Sequence, residues 1–407
     1  MAETLRTNSA ESTPRTFLAA ACPRELSVYG LLVRDAITAS RALFGTLSAA
    51  GPVHWDPYVG AWLIVGPDVV SQVLTDDRFA ARRLVDQRKP GNSAEIAMAE
   101  VASRMLLQRD GAEHLKLKRV VQRVLSPGRI KALEPFMRDL ADVLLPDDEP
   151  LAIDFVATVA RTFPLFVVAE LLGIPHDDLP MVLAGSDAMT QIVGGLHYTV
   201  DPDVHAKARK LFDYSLAMMY DRRANPGQDG TSAFVQAADA AGGYDDVDIA
   251  ANLMMLIASG HQTMPGFLGI AVHDALRAGA ELGEINQVLA EVTPSRFVGR
   301  VATEQVVVGD CRIEPGDAVL VLLAAANWTL LDRQSGPVRH FAFGHGRHRC
   351  PGAPMAELEG TVLFDKVRTL WPQLRISTDA QPSWNHNANL PALTSLPIEI
   401  GTPWTTG

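Results

Sequence analysis

The sequence predicts a mainly α-helical fold with a small β portion, on three observations. Apolar residues recur at three- and four-residue spacing through most of the 407 positions, the period of a helix with one buried face. Only a few short runs have the β-branched, bounded character of strands. No internal repeat, low-complexity tract or linker splits the chain.

The elements follow in order. Residues 1–24, rich in Ser, Thr and Pro, read as a loose arm, which leaves 25–407 as one domain. Trp62–Val65, after the turn signal Asp56-Pro57, reads as a strand, and Asp68–Leu74 as a helix. Leu84–Ile96 is polar, carries Pro90 and Gly91, and reads as a mobile loop. Met105–Leu125 is helical around a turn at Asp110-Gly111. Ile130–Leu145 and Phe155–Leu172 are further helices, the second so apolar that it must be buried. Leu179–Arg222 reads as two helices joined between Gly194 and Pro202. Val247–Leu276 is the longest helical stretch and is apolar on most faces. Short strands are expected at Phe297–Ala302, Gln305–Val308 and Ala318–Leu323. From Pro354 a helix begins, with Met355, Leu358, Val362 and Leu363 on one face.

Composition narrows the function. Hydrophobic residues make up 47% of the chain, enough for a large core. A net charge of -11 speaks against a nucleic-acid-binding surface. Three cysteines, Cys22, Cys311 and Cys350, are too few and odd in number for a disulfide framework and fit a reducing compartment. No apolar run approaches the ~20 residues of a membrane span; Phe163–Ile174 is too short and contains Glu170. The N-terminus lacks a signal pattern. A cytoplasmic protein without membrane attachment is expected.

The most informative stretch is Phe343-Gly344-His345-Gly346-Arg347-His348-Arg349-Cys350-Pro351-Gly352. Its glycines allow φ > 0 and close approach to a flat partner. Arg347, His348 and Arg349 put positive charge beside Cys350, which favours a thiolate. A thiolate before a helix, screened by glycine backbone and flanked by cations, is a site that suits a haem iron. The stretch resembles the haem-binding loop of the cytochrome P-450 superfamily, Phe-Gly-x-Gly-x-His/Arg-x-Cys-x-Gly. It matches at Phe343, Gly344, Gly346, His348, Cys350 and Gly352.

The resemblance extends from about residue 25 to the end. It implies a triangular single domain with haem b between the long central helix and the helix after Cys350, whose thiolate is the axial iron ligand. Asp110-Gly-Ala-Glu-His114-Leu-Lys-Leu-Lys118 resembles the family's helix that carries His and Arg to a haem propionate, with Lys118 in place of the Arg. Phe297-Val-Gly-Arg300 resembles the strand with a propionate-binding Arg. Leu390–Pro397 resembles the closing hairpin of bacterial members. The resemblance gives cofactor-binding roles to His114, Lys118, Arg300, Phe343, Gly344, His348 and Gly352. It gives pocket-shaping roles to Leu84–Val101 and Met181–Val200.

Ala258-Ser259-Gly260-His261-Gln262-Thr263-Met264-Pro265 resembles the family's oxygen-activation motif, Ala/Gly-Gly-x-Asp/Glu-Thr. Gly260 permits a bulge and close passage past a flat cofactor. Pro265 lacks an N–H and removes the helical donor for the His261 carbonyl. Thr263 is the motif's hydroxyl. Gln262 stands where the family has an acid, and an amide does not relay protons as a carboxylate does. His261 is adjacent, but neighbouring helical positions point about 100° apart.

Other departures cluster. The family's Glu-x-x-Arg is replaced by Gln287-Val-Leu-Ala290. The segment between Asn327 and Phe341 is short, and so is the run from Thr263 to Gln287. Three functions remain open on this reading. One is a monooxygenase acting on a small or medium apolar metabolite of specialised metabolism, with electrons from a ferredoxin-type donor. The second is a haem enzyme that uses peroxide or performs a rearrangement or coupling. The third is a non-catalytic helper that binds and activates a partner enzyme.

Overall fold

The computed structural model describes residues 26–33, 40–81, 93–146, 151–194, 201–333, 336–378 and 380–401. The expected arm at 1–24 lies outside the described residues, as does most of the loop expected at Leu84–Ile96.

The chain opens with α1 (Tyr29–Val33) and α2 (Ser40–Ala50), then the hairpin of β1 (Val53–Asp56) and β2 (Ala61–Ile64). Next come α3 (Pro67–Thr75), β3 (Phe79–Ala80), α4 (Ser93–Ser103), α5 (Gly111–Val124), α6 (Pro127–Ala132) and α7 (Glu134–Leu144). After β4 (Leu151–Asp154) the helices α8 (Thr162–Leu172), α9 (Leu179–Gly194), α10 (Pro202–Ala224), α11 (Gly230–Ala241), α12 (Asp246–Gln262), α13 (Met264–Ala278) and α14 (Ile285–Val292) run almost without interruption. The strands β5 (Val298–Ala302), β6 (Val306–Val308), β7 (Cys311–Ile313) and β8 (Ala318–Val321) precede α15 (Leu323–Arg333) and α16 (Ala353–Leu370). The chain closes with β9 (Leu374–Ile376), β10 (Ser383–Trp384), β11 (Leu393–Ser395) and β12 (Pro397–Ile400).

Sequence chemistry explains the boundaries that matter for the site. Helix α12 starts at a reciprocal capping box, in which Asp245 accepts from the Asp248 amide and Asp248 accepts from the Asp245 amide, satisfying two orphan donors. It does not run on to Leu276 as its apolar pattern suggests. It stops at Gln262, and α13 restarts at Met264, because Pro265 supplies no N–H in the first turn. Leu106–Gln108 forms a 3-10 turn before α5, with Asp110 at the N-cap. Ile130–Leu145 is likewise two helices, since Pro135 begins a new one. Ser93–Ile96, expected as loop, is the first turn of α4.

The largest sheet has strand order β1-β2-β8-β5-β3. Its centre is the parallel pair β2–β8, which joins Ala61–Ile64 to Ala318–Val321. Trp62 Nε1 donates to Asp317 Oδ2 at 3.0 Å across that junction. The main core lies among the helices, where Phe155, Phe163, Phe234, Phe267 and Phe364 are fully buried. Each such side chain contributes ~1.5–3 kcal/mol by leaving water. Helix α12 packs against α8, α9, α10 and α13 through this core. No helix among the described residues is long and apolar enough to cross a membrane.

Candidate functional site

The Cys350 loop is closed by its own backbone. The Cys350 amide donates to the Phe343 carbonyl at 2.9 Å, Gly344 to Phe341 at 2.8 Å, and Arg349 to Gly346 at 3.1 Å. Gly344 and Gly346 have φ of 69° and 67°, the left-handed region that glycine enters without strain. At Gly346 a Cβ would also sit 2.5 Å from the Leu74 carbonyl. Gly352 differs from expectation: its φ is -82°, so it is not needed for backbone conformation. Its place is beside the sulfur, 3.7 Å from which its Cβ would lie.

Cys350 faces a cavity of about 300 Å³ between α12, α5 and the start of α16. One end is polar, with His114, Lys118, Arg300, His348 and Arg349; the rest is apolar, with Leu107, Val168, Leu171, Met255 and Val298 among its walls. Cys350, His114, Lys118, Arg300, His348, Gly352 and Gly260 are therefore brought together. Phe343 and Gly344 shape the loop but do not line the cavity; the Arg349 guanidinium sits 5.9 Å over the Phe343 ring.

The electrostatics differ from the sequence expectation in one respect. Burial pushes the Cys350 thiol up, and the Gly352 and Ala353 amides with Arg349 and Lys118 only partly offset this. Neighbouring cations alone do not make the thiolate; a bound metal ion deprotonates a coordinating thiol outright. Lys118 is pulled down by burial. Its ammonium donates to the Arg347 carbonyl and, at 2.9 Å, to the Arg349 carbonyl, so it braces the loop from α5. Arg300 Nη1 donates to Gly299 at 2.8 Å. His348 Nε2 donates to Asp110 Oδ1 at 2.9 Å. His114 is held neutral, its pKa lowered to about 4 by burial and then by His348 and Lys118. Its Nδ1 is buried and without a hydrogen-bond partner.

These residues fit a haem. An open sulfur, an apolar chamber and a cationic rim with one orphaned imidazole nitrogen match an iron, a flat macrocycle and its carboxylates. Among the described residues no other cluster of His, Cys, Asp or Glu could hold a metal ion.

The motif on α12 divides. Ser259 and Gly260 line the cavity; Gly260 is also where α12 meets α8, since a Cβ there would fall 2.4 Å from Val168 Cγ2. Thr263 lies at the break between α12 and α13, exposed, and is not among the residues lining this cavity. Gln262 faces another way. Its amide nitrogen is 2.9 Å from Asp187 Oδ1 and 3.3 Å from His261 Nε2. Sequence reasoning missed Asp110 as the partner of His348 and Ser259 as a wall residue. It also missed Asp187, for which a position on α9 gives no signal.

The missing Glu-x-x-Arg has an uncharged counterpart. Asn327 on α15 donates to Thr293 Oγ1 at 2.8 Å, Thr293 Oγ1 donates to the Ala290 carbonyl at 2.9 Å, and the Phe341 amide donates to Asn327 Oδ1 at 2.6 Å. Asn327 and Thr293 are fully buried, and Trp328 Nε1 adds a bond to the Glu291 carbonyl at 2.8 Å. The end of α14 is thus tied to the segment that leads into the Cys350 loop.

No protein-family model matches the chain. It is 28% identical over 405 residues to the cytochrome P450 monooxygenase PikC of Streptomyces venezuelae, covering 91% of this chain and 93% of that one. It is 27% identical over 388 residues to mycinamicin IV hydroxylase/epoxidase of Micromonospora griseorubida, covering 87% and 94%. The structure of CalO2 superposes with a TM-score of 0.79 at 26% identity, over 91% of this chain and 97% of that one. Relatives of this kind run along nearly the whole chain and the cysteine-walled cavity sits in the matching fold: the chain is similar throughout to bacterial cytochrome P450 monooxygenases, and it is a haem-thiolate oxidoreductase of the monooxygenase type.

Proposed function

We propose that Cys350 is the axial ligand of the haem iron and that His114, Lys118, Arg300 and His348 form the rim that meets the haem carboxylates. The observation that carries this reading is the placement of the Cys350 sulfur on a cavity that is cationic at one end and apolar elsewhere. Bound haem supplies activation of dioxygen with two electrons and two protons, so that one oxygen atom enters the substrate and the other leaves as water.

The protein's part is to hold, orient and exclude. Lys118 fixes the carbonyls of Arg347 and Arg349 and so the pose of Cys350. The amides of Gly352 and Ala353 point at the sulfur and temper its charge. Asp110 anchors His348, while the free Nδ1 of His114 is a donor for a carboxylate oxygen. Leu106, Leu107, Met255 and Leu256 keep bulk water from the chamber. The substrate is a specialised metabolite with a substantial apolar surface, of the antibiotic-related kind that the named relatives suggest, and a ferredoxin-type protein supplies the electrons.

The test is the absorption spectrum of the reduced protein with carbon monoxide. A strongly red-shifted Soret band is expected, and Cys350→Ala should abolish it. An unchanged band in that variant would remove the ligand assignment.

A further inference from the structure

The chain lacks an acid on α12 but has one against it. Asp187 lies on α9, and its Oδ1 accepts a hydrogen bond from Gln262 Nε2 at 2.9 Å. Its Oδ2 accepts from Arg161 Nη2 at 2.9 Å. The orientation of the Gln262 amide follows from its neighbours. His261 donates through Nδ1 to the Ile257 carbonyl at 2.8 Å. Burial holds that ring neutral, with a pKa lowered to about 4, so its Nε2 presents a lone pair. Two acceptors, Asp187 Oδ1 and His261 Nε2, then face the same nitrogen of Gln262, which must be the NH₂.

Arg161, His261 and Gln262 line a second cavity of about 110 Å³, with Thr190, Pro265 and Asn387 among its other walls. It is polar, and at ~30 Å³ per molecule it has room for about three waters. His261 and Gln262 lie before the helix break and Pro265 after it, so the cavity adjoins the break at Thr263. Asp187 is bonded to Arg161 and Gln262, two residues of that wall, and its side chain is 39% exposed.

We propose that Asp187 is the proton-delivering acid of this enzyme, moved from α12 to α9, with Gln262 as the residue that positions it. This rests on the monooxygenase reading above. The carboxyl takes a proton from solvent on its exposed side and releases it to water in the second cavity. That water passes the proton across the Ser259–Gln262 turn of α12, whose Ser259 and Gly260 face the first cavity, toward dioxygen under reduction there. Reduction to water consumes four electrons and four protons per dioxygen; release as peroxide consumes two of each. Asp187 is reprotonated from solvent after each transfer, so it undergoes no net change.

The test uses four holoproteins: wild type, D187N, Q262E and D187N/Q262E. Each is first checked for the reduced carbon monoxide band, which reports on Cys350 and haem independently of Asp187. Each is then reduced by a plant-type ferredoxin with its reductase, and peroxide release and dioxygen uptake are measured, in light and heavy water. D187N should raise peroxide relative to water by ~10- to 100-fold, the lower range of a lost general acid. D187N/Q262E, which returns the acid to α12 and the amide to α9, should restore the ratio to within a few-fold. Denaturation midpoints of the same four proteins give a reading free of turnover. The swap should show coupling between the two sites, as groups sharing a hydrogen bond do. An unchanged ratio in D187N would overturn the proposal, as would a swap that leaves peroxide high while the carbon monoxide band is intact. So would transfer of the whole effect to E359Q, since Glu359 on α16 is a fully buried carboxyl with both oxygens unpartnered.

Discussion

His114 and His348 stack with 4.0 Å between ring centroids, and the hydrogen bond to Asp110 belongs to His348. Two imidazoles this close do not both carry charge at modest cost. His114 is therefore the neutral member, with its Nδ1 waiting for a partner. Loading with haem should give it one. In ring-nitrogen NMR the His114 pKa is expected to rise from about 4 on haem binding, because a carboxylate favours the imidazolium. A value that stays put would take His114 off the haem rim.

Acid should destabilise the fold through the same group and His261. Both have folded pKa values of about 4, below the ~6.5 of an unfolded histidine. The unfolded chain then binds more protons between those values, so stability present above ~6.5 is lost as pH falls toward 4. Urea midpoints should drop between pH 7 and pH 5, and His261→Gln should flatten that dependence.

Gly260→Ala tests the crossing of α12 and α8. The new methyl meets Val168 at 2.4 Å, and overpacking of this kind costs about 1–3 kcal/mol. The melting temperature should fall, and adding Val168→Ala should recover most of the loss. A double variant no better than the single would mean that another contact makes glycine necessary.

Removing Asn327 should loosen the route into the Cys350 loop. Asn327→Ala takes the partner from the part-buried Phe341 amide and the donor from the buried Thr293 hydroxyl; a buried group left without a partner costs about 1–3 kcal/mol. Faster hydrogen exchange at Phe341 and Gly344 and a weaker carbon monoxide band are expected. Because the network is uncharged, the effect should be the same at low and high salt.

Much of this was legible in the sequence. The Cys350 loop carries its own punctuation in Gly344 and Gly346, and both take the positive φ that their type suggests. His114, Lys118, Arg300 and His348 were found from three separate stretches because each sits in a recognisable local pattern. The break after Gln262 was harder: Pro265 announces it, but the apolar periodicity continues across it, and periodicity alone reads two buried helices as one. Asp187 was not readable at all, since its meaning lies in the contact between α9 and α12. Nor was Asn327, whose partners are 34 residues before it and 14 after it. Side chains that work across elements leave no period in the chain.

The parallel pairing of β2 with β8 has a kinetic consequence. It fastens Ala61–Ile64 to Ala318–Val321, and Gly346 in the Cys350 loop packs against the Leu74 carbonyl just beyond. The loop's seat is therefore built from segments far apart in the sequence. Long-range closure is slow, since its entropy must be lost before its contacts form. A ribosome-bound chain short of residue 350 holds His114 and Arg300 but neither the sulfur nor the finished seat. Haem capture through the sulfur accordingly waits until residue 350 has been made and the β2–β8 pairing has closed.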